Sequence, residues 1–168
     1  MIRRLGLAAT LLVAAGCASV VPRAPSDLSG RLALRVEAPA RSFSADFDLR
    51  GDADRGQLRL TGPLGATLGE AQWRPGAARL QTPQATQEFD SLDALAQSLF
   101  GEALPLAALV EWLRGRPWSG APSVERAGGF EQLGWAVDLA AYAADGVVVA
   151  SRSREPPLSV RVRLERGS

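Results

Sequence analysis

Apolar and polar positions in this chain follow two different periods. From Gly30 the period is two: Leu32, Leu34 and Val36 alternate with Arg31, Ala33, Arg35 and Glu37, and Phe43, Ala45, Phe47 and Leu49 alternate with Ser44, Asp46, Asp48 and Arg50. Such alternation is the mark of antiparallel strands with one apolar face and one wet face. Gly51-Asp52-Ala53-Asp54 and Pro75-Gly76 separate these runs as hairpin connections do. Further strands are predicted over 57–61, 68–74, 78–82 and 86–89.

Between Asp90 and Arg114 the period becomes helical. Asp90 or Ser91 can cap a segment that places Leu92, Leu95 and Leu99 on one face, with Gly101 as its stop. Pro105 suits the first turn of a second helix, in which Leu106, Leu109, Val110 and Leu113 fall at i, i+3, i+4 and i+7; Gly115 and Pro117 end it. A Gly-rich connection follows, and strands return over 134–140, 147–152 and 158–165. Strands, a helical insert and more strands predict an α+β domain. Its plan is one strongly curved antiparallel sheet with helices covering the apolar concave side. Such a sheet either encloses an apolar pocket or is filled by its own side chains. Periodicity alone puts the filled core first.

The N-terminal stretch has neither period. Arg3 and Arg4 open an apolar run from Leu5 to Ala15, and Leu12-Val13-Ala14-Ala15-Gly16-Cys17 closes it. A basic start, a short apolar stretch and small residues at a cut point read as a secretory signal, and the run is too short to span a bilayer at about 20 residues. The ending resembles the bacterial lipobox, although Ala14 stands where a larger aliphatic residue is usual. That resemblance implies cleavage before Cys17, with diacylglycerol on its thiol and an acyl chain on its amine. Ala18 and Ser19, with no Asp after the cysteine, point to the outer membrane. The expected organisation is therefore a signal over 1–16, a lipidated tether over 17–29 rich in Pro, Ser and Ala, and one folded domain over 30–168.

Composition narrows the chemistry. All 19 basic residues are arginines against 18 carboxylates, with no basic tract to suggest nucleic acid. There is no histidine, and Cys17 is the only cysteine. The usual zinc, copper and thiol chemistries thus lack their ligands and bases, and no metal or cofactor beyond the lipid on Cys17 is expected. The pairs Asp46 with Asp48 and Asp52 with Asp54 are the candidates for acid–base work, but a polar strand face and a turn explain them. Arg114 and Arg116 read either as a solvated helix end or as a contact for an acidic partner. Trp73, Trp112, Trp118 and Trp135 fit a pocket wall or a core equally. Leu64, between Pro63 and Gly65, is expected at a turn tip, where it costs hydration unless it finds an apolar partner.

Five pieces, in order along nearly the whole chain after the signal, resemble the LolB family of outer-membrane lipoprotein receptors. They are the lipobox cysteine, Ser29-Gly30-Arg31-Leu32-Ala33-Leu34-Arg35-Val36, Phe43-Ser44-Ala45-Asp46-Phe47, Leu60-Thr61-Gly62-Pro63-Leu64-Gly65-Ala66-Thr67, and the segment from Pro105 to Pro117 with Leu109, Trp112, Leu113 and Gly115. The resemblance implies an incomplete antiparallel β-barrel covered by helices, whose apolar cavity receives acyl chains handed over by the periplasmic carrier LolA. A projecting apolar loop then serves release into outer-membrane lipid. Mapped here, that loop is 61–69, with Leu64 as first choice for its tip and Leu68 as second. The cavity candidates are Leu32, Leu34, Val36, Phe43 and Phe47 of the sheet and Leu106, Leu109, Val110 and Leu113 of the second helix. The implied protein is a monomer and not an enzyme. Two alternatives stand beside it: a structural envelope lipoprotein with a solid core, and a carboxylate-dependent hydrolase.

Overall fold

The computed structural model describes residues 27–37 and 39–165. The expected signal, Cys17 and the tether up to residue 26 lie outside the described residues. The first strand begins at Leu28, inside the stretch read as tether.

Six strands come first: β1 (Leu28–Glu37), β2 (Ala40–Gly51), β3 (Gly56–Thr61), β4 (Thr67–Arg74), β5 (Ala77–Gln81) and β6 (Thr86–Phe89). Two helices follow, α1 (Leu92–Phe100) and α2 (Leu106–Trp112). The chain then forms β7 (Ser123–Arg126), β8 (Gly129–Gln132), β9 (Trp135–Asp138), a short α3 (Tyr142–Asp145), β10 (Val147–Arg152) and β11 (Leu158–Leu164). The strands make one curved, open antiparallel sheet in the order β6-β5-β4-β3-β2-β1-β11-β10-β9-β8-β7. The incomplete-barrel, α+β expectation holds.

This order dictates where the helices lie. The chain leaves the sheet at one edge, β6, and re-enters at the opposite edge, β7, so the segment between them must cross a face. It crosses the apolar one, because Ala45, Phe47 and Leu49 of β2, Ala71 and Trp73 of β4, and Val160 and Val162 of β11 all point that way and are buried with Leu95, Leu106 and Val110. Both ends of α1 are set by the residues the sequence singles out. The Ser91 hydroxyl accepts the Ala94 N–H at 3.1 Å, and Gly101 turns left-handed at φ 69° while its N–H closes on the Gln97 carbonyl.

The connection expected after α2 is a correction. It contains two strands, β7 and β8, and the strand expected over 134–140 ends at Asp138, after which residues 142–145 form α3. β7 is an exposed edge with no apolar row, and on β8 the buried positions are Phe130 and a glutamine. Polar Gln132 hides the alternation.

That glutamine is a joint. Its side-chain carbonyl accepts from the Trp112 indole N–H at 2.8 Å and the Trp118 N–H at 2.9 Å, and its amide donates to the carbonyls of Trp118 and Ala121 at 2.7 and 2.8 Å. It ties α2 and the 118–121 segment to β8. Trp112 packs there against Phe130 and Trp135, with ring centroids 6.4 and 6.1 Å away. Buried Arg152 lies 5.5 Å over the same Trp135 ring and donates to the Ala103 and Pro156 carbonyls at 3.3 Å.

Gln132→Leu leaves the buried Trp112 indole N–H without its acceptor and frees part-buried groups of Trp118 and Ala121, an unmet buried group costing about 1–3 kcal/mol; urea denaturation should show a loss of about 3 kcal/mol, whereas Gln87→Leu on the exposed β6 should change little. On the β3–β4 hairpin, desolvation pushes the Glu70 carboxyl up, yet hydrogen bonds from Gln72, Arg59 and Gln57 and the Arg59 charge together hold its pKa below the ordinary 4.5. A depressed carboxylate stabilises the fold above its unfolded pKa, and that gain is lost as pH falls through the folded value. Glu70→Gln should therefore flatten the acid limb of the stability profile below about pH 4.5 and leave its neutral slope unchanged, as read by thermal unfolding across pH.

Candidate functional site

The inward rows of the sheet and the facing rows of the helices share one core but do not fill it. Between them lies an apolar cavity of about 410 Å³. The filled core that periodicity favours is therefore not what forms, because two short helices pack on only part of a wide curved sheet. Leu32, Leu34 and Val36 of β1 and Phe43 and Phe47 of β2 line the cavity from below. Leu106, Leu109, Val110 and Leu113 close it from α2 and its C-terminal cap. Every cavity candidate named from the sequence lies on this one surface.

The wall also includes residues that the sequence reading did not assign to it. Leu60, Ala71, Trp73 and Leu80 come from β3 to β5, and Leu92, Leu95, Leu99 and Phe100 from α1. Their signal was present in the same alternation and in the apolar face of α1. Among the four tryptophans, Trp73 reaches the cavity, and its indole N–H is satisfied by the Asp52 carbonyl at 2.9 Å. Trp112 and Trp135 are buried in the core and Trp118 packs against it.

Most of the wall is buried; Arg41, Ser42 and Leu68 are its exposed members and mark the rim. Strand register puts them at one end. Asp46 of β2 pairs with Thr61, the last residue of β3, so the earlier residues of β2, Arg41 among them, run out past the end of β3 where the 62–66 turn projects.

Local chemistry shapes that turn. The Gly65 N–H donates to the Gly62 carbonyl at 2.9 Å and the Gly62 N–H to the Ala66 carbonyl at 2.8 Å, with Gly65 at φ 80°. This is a tight turn closed by a left-handed residue, for which Pro63 fixes φ in the second position and glycine carries no Cβ penalty in the fourth. Leu64 stands at its tip, 98 % exposed. Leu68 is placed differently. Leu60 pairs with Gly69 and Thr61 with Thr67, leaving Leu68 as the extra residue of a bulge. It is 40 % exposed, lies back against Gly62 and joins the cavity rim. The stem beneath is braced by the Arg59–Glu70 ion pair at 2.7 Å.

The charged candidates serve local structure. Arg114 donates to the Gly51 carbonyl, tying α2 to the end of β2, and Arg116 pairs with Glu111 at 2.6 Å. Asp46 faces Arg31 at 3.4 Å. Asp52 accepts the N–H groups of Arg55 and Asp54, and these bonds hold its carboxyl below the usual range. No group of three or more potential metal-ligating side chains occurs among the described residues, and no described helix is long and apolar enough to cross a membrane.

Residues 26–166 match the family model described as outer membrane lipoprotein LolB. The chain is 36 % identical to the outer-membrane lipoprotein LolB of Bordetella petrii, over 95 % of this chain and 87 % of that one. It is 33 % identical to the namesake from Chromobacterium violaceum over 80 % and 81 %, and 30 % identical to that from Dechloromonas aromatica over 96 % and 95 %. Similarity of this extent, on a curved open sheet with an apolar interior, places the chain in the LolB family of outer-membrane lipoproteins.

Proposed function

We propose that the protein receives the acyl chains of lipoproteins from the periplasmic carrier LolA in the 410 Å³ apolar cavity and passes them to the outer membrane at the Leu64 turn. The observation that carries this reading is shared position: the cavity rim and an almost wholly exposed leucine lie at the same end of one sheet. Exposed leucine costs hydration unless it meets an apolar phase, and burying it recovers about 1.5–3 kcal/mol. Cys17, lipidated, would hold the body at the periplasmic face of that membrane, since two or more acyl chains anchor stably.

In this reading each handover is downhill. Acyl chains leave the carrier for an apolar wall, then leave that wall for the bilayer, each methylene carrying about 0.8 kcal/mol of preference for apolar surroundings over water. The 62–66 turn contributes at the second step only. Its leucine brings the rim against the hydrocarbon, so that chains move from wall to lipid without crossing water.

Leu64→Glu separates the two steps. A carboxylate resists transfer into hydrocarbon, and a tip residue with few contacts leaves stability within about 0.5 kcal/mol. In a two-step assay the variant should take lipoprotein from LolA within about twofold of wild type and deliver it to liposomes at least about tenfold more slowly. Full delivery by a folded Leu64→Glu protein rejects the insertion role, and a delivery defect found at Leu68→Glu instead moves the role to the bulge. Cys17→Ala should release the protein from the membrane fraction while its circular dichroism stays that of the wild type.

A further inference from the structure

The cavity wall is apolar nearly throughout, and its charged exception is placed. Arg41 belongs to the odd-numbered row of β2 whose later members, Ala45, Phe47 and Leu49, are buried against the helices. Its guanidinium therefore rises on the cavity side of the sheet, at the rim, beside the Phe43–Phe100 edge contact at 5.9 Å. It is held there. The Arg41 Nη2 lies 3.2 Å from the Glu102 carboxylate, and the other oxygen of Glu102 faces the buried Arg152 at 3.7 Å. Arg41 Nη1 also sits against Gly101, where a Cβ would come within 3.4 Å. Glu102 thus fixes an arginine where a long flexible side chain would otherwise turn to solvent.

A guanidinium is a planar fork with five N–H donors, and Glu102 engages one of its nitrogens. An acylated ligand has a matching geometry: chains that seek the wall, and ester or amide carbonyls where the chains join, which are acceptors needing donors once out of water. Among the described residues, Arg41 alone gives the wall charged donors for such a junction. Resting on the acyl-binding reading above, we propose that Arg41 is the polar anchor of the cavity. It donates to the ester or amide carbonyl oxygens at the head of the acyl chains, so that ligands enter tail first and stop with the head at the rim beside the Leu64 turn.

The test uses the full-length lipidated protein in lipid nanodiscs and two ligands with the same terminally brominated ten-carbon chain. One is an N-methyl amide and the other an alkane. Bromine quenches the Trp73 indole in the cavity wall, empty nanodiscs give the partition background, and Trp73→Phe identifies the signal. Wild type should bind the amide about tenfold more tightly than the alkane. Arg41→Met should remove that preference and leave alkane binding unchanged, and Arg41→Lys should restore part of it. Equal losses for both ligands in a folded Arg41→Met protein, or an undiminished amide preference, overturn the anchor. If neither ligand quenches Trp73 in wild type, the acyl-binding reading fails and the anchor falls with it; alkane binding without amide preference leaves that reading standing and rejects the anchor alone.

Discussion

An eleven-stranded antiparallel sheet has one apolar face to remove from water, and this chain supplies two short helices to do it. Each residue of helix advances only 1.5 Å, against about 3.3 Å for strand, so α1 and α2 cannot carpet the face they cross. Curvature makes up part of the shortfall by bringing the sheet's own rows toward one another. What remains uncovered from within becomes the cavity. The void is a consequence of the ratio of strand to helix, and no individual residue carves it.

Because the cover is thin, its attachment matters more than its area. It is fastened by directed polar contacts at its margins: Gln132 under Trp112, Arg114 on the Gly51 carbonyl, and the Arg41–Glu102–Arg152 series at the α1–α2 connection. Apolar contact in the middle is less specific, since leucines facing across a gap define no unique seat. The polar margins fix the register of helices on sheet and leave the interior unfilled. The same division places a charged group at the rim without bringing one into the wall beyond it.

Alternation and capping made most of this legible. The rows of β1, β2 and β11 and the Ser91 and Gly101 caps of α1 are local patterns, and local patterns survive folding. β7 and β8 escaped because Gln132 breaks the apolar row and because its four hydrogen bonds go to three residues, all eleven or more positions away in sequence. For the site, the leucine and phenylalanine rows named the right surface, while the gap above it depends on how far the helices stand off, which no periodicity encodes. Arg114 and Arg116 were open to a partner reading until the Gly51 carbonyl and Glu111 supplied theirs. Arg41 was missed because an arginine in an apolar row reads as the end of a strand.

The lining of the cavity has a consequence for how firmly it can hold anything. An apolar wall around about 410 Å³ holds its contents by burial alone, at about 0.8 kcal/mol for each methylene taken from water. Such contact has no preferred direction, so each methylene that leaves gives up only its own share. A wall of this kind sets no latch against discharge: its grip fades in small equal steps as the contents move to other apolar surroundings.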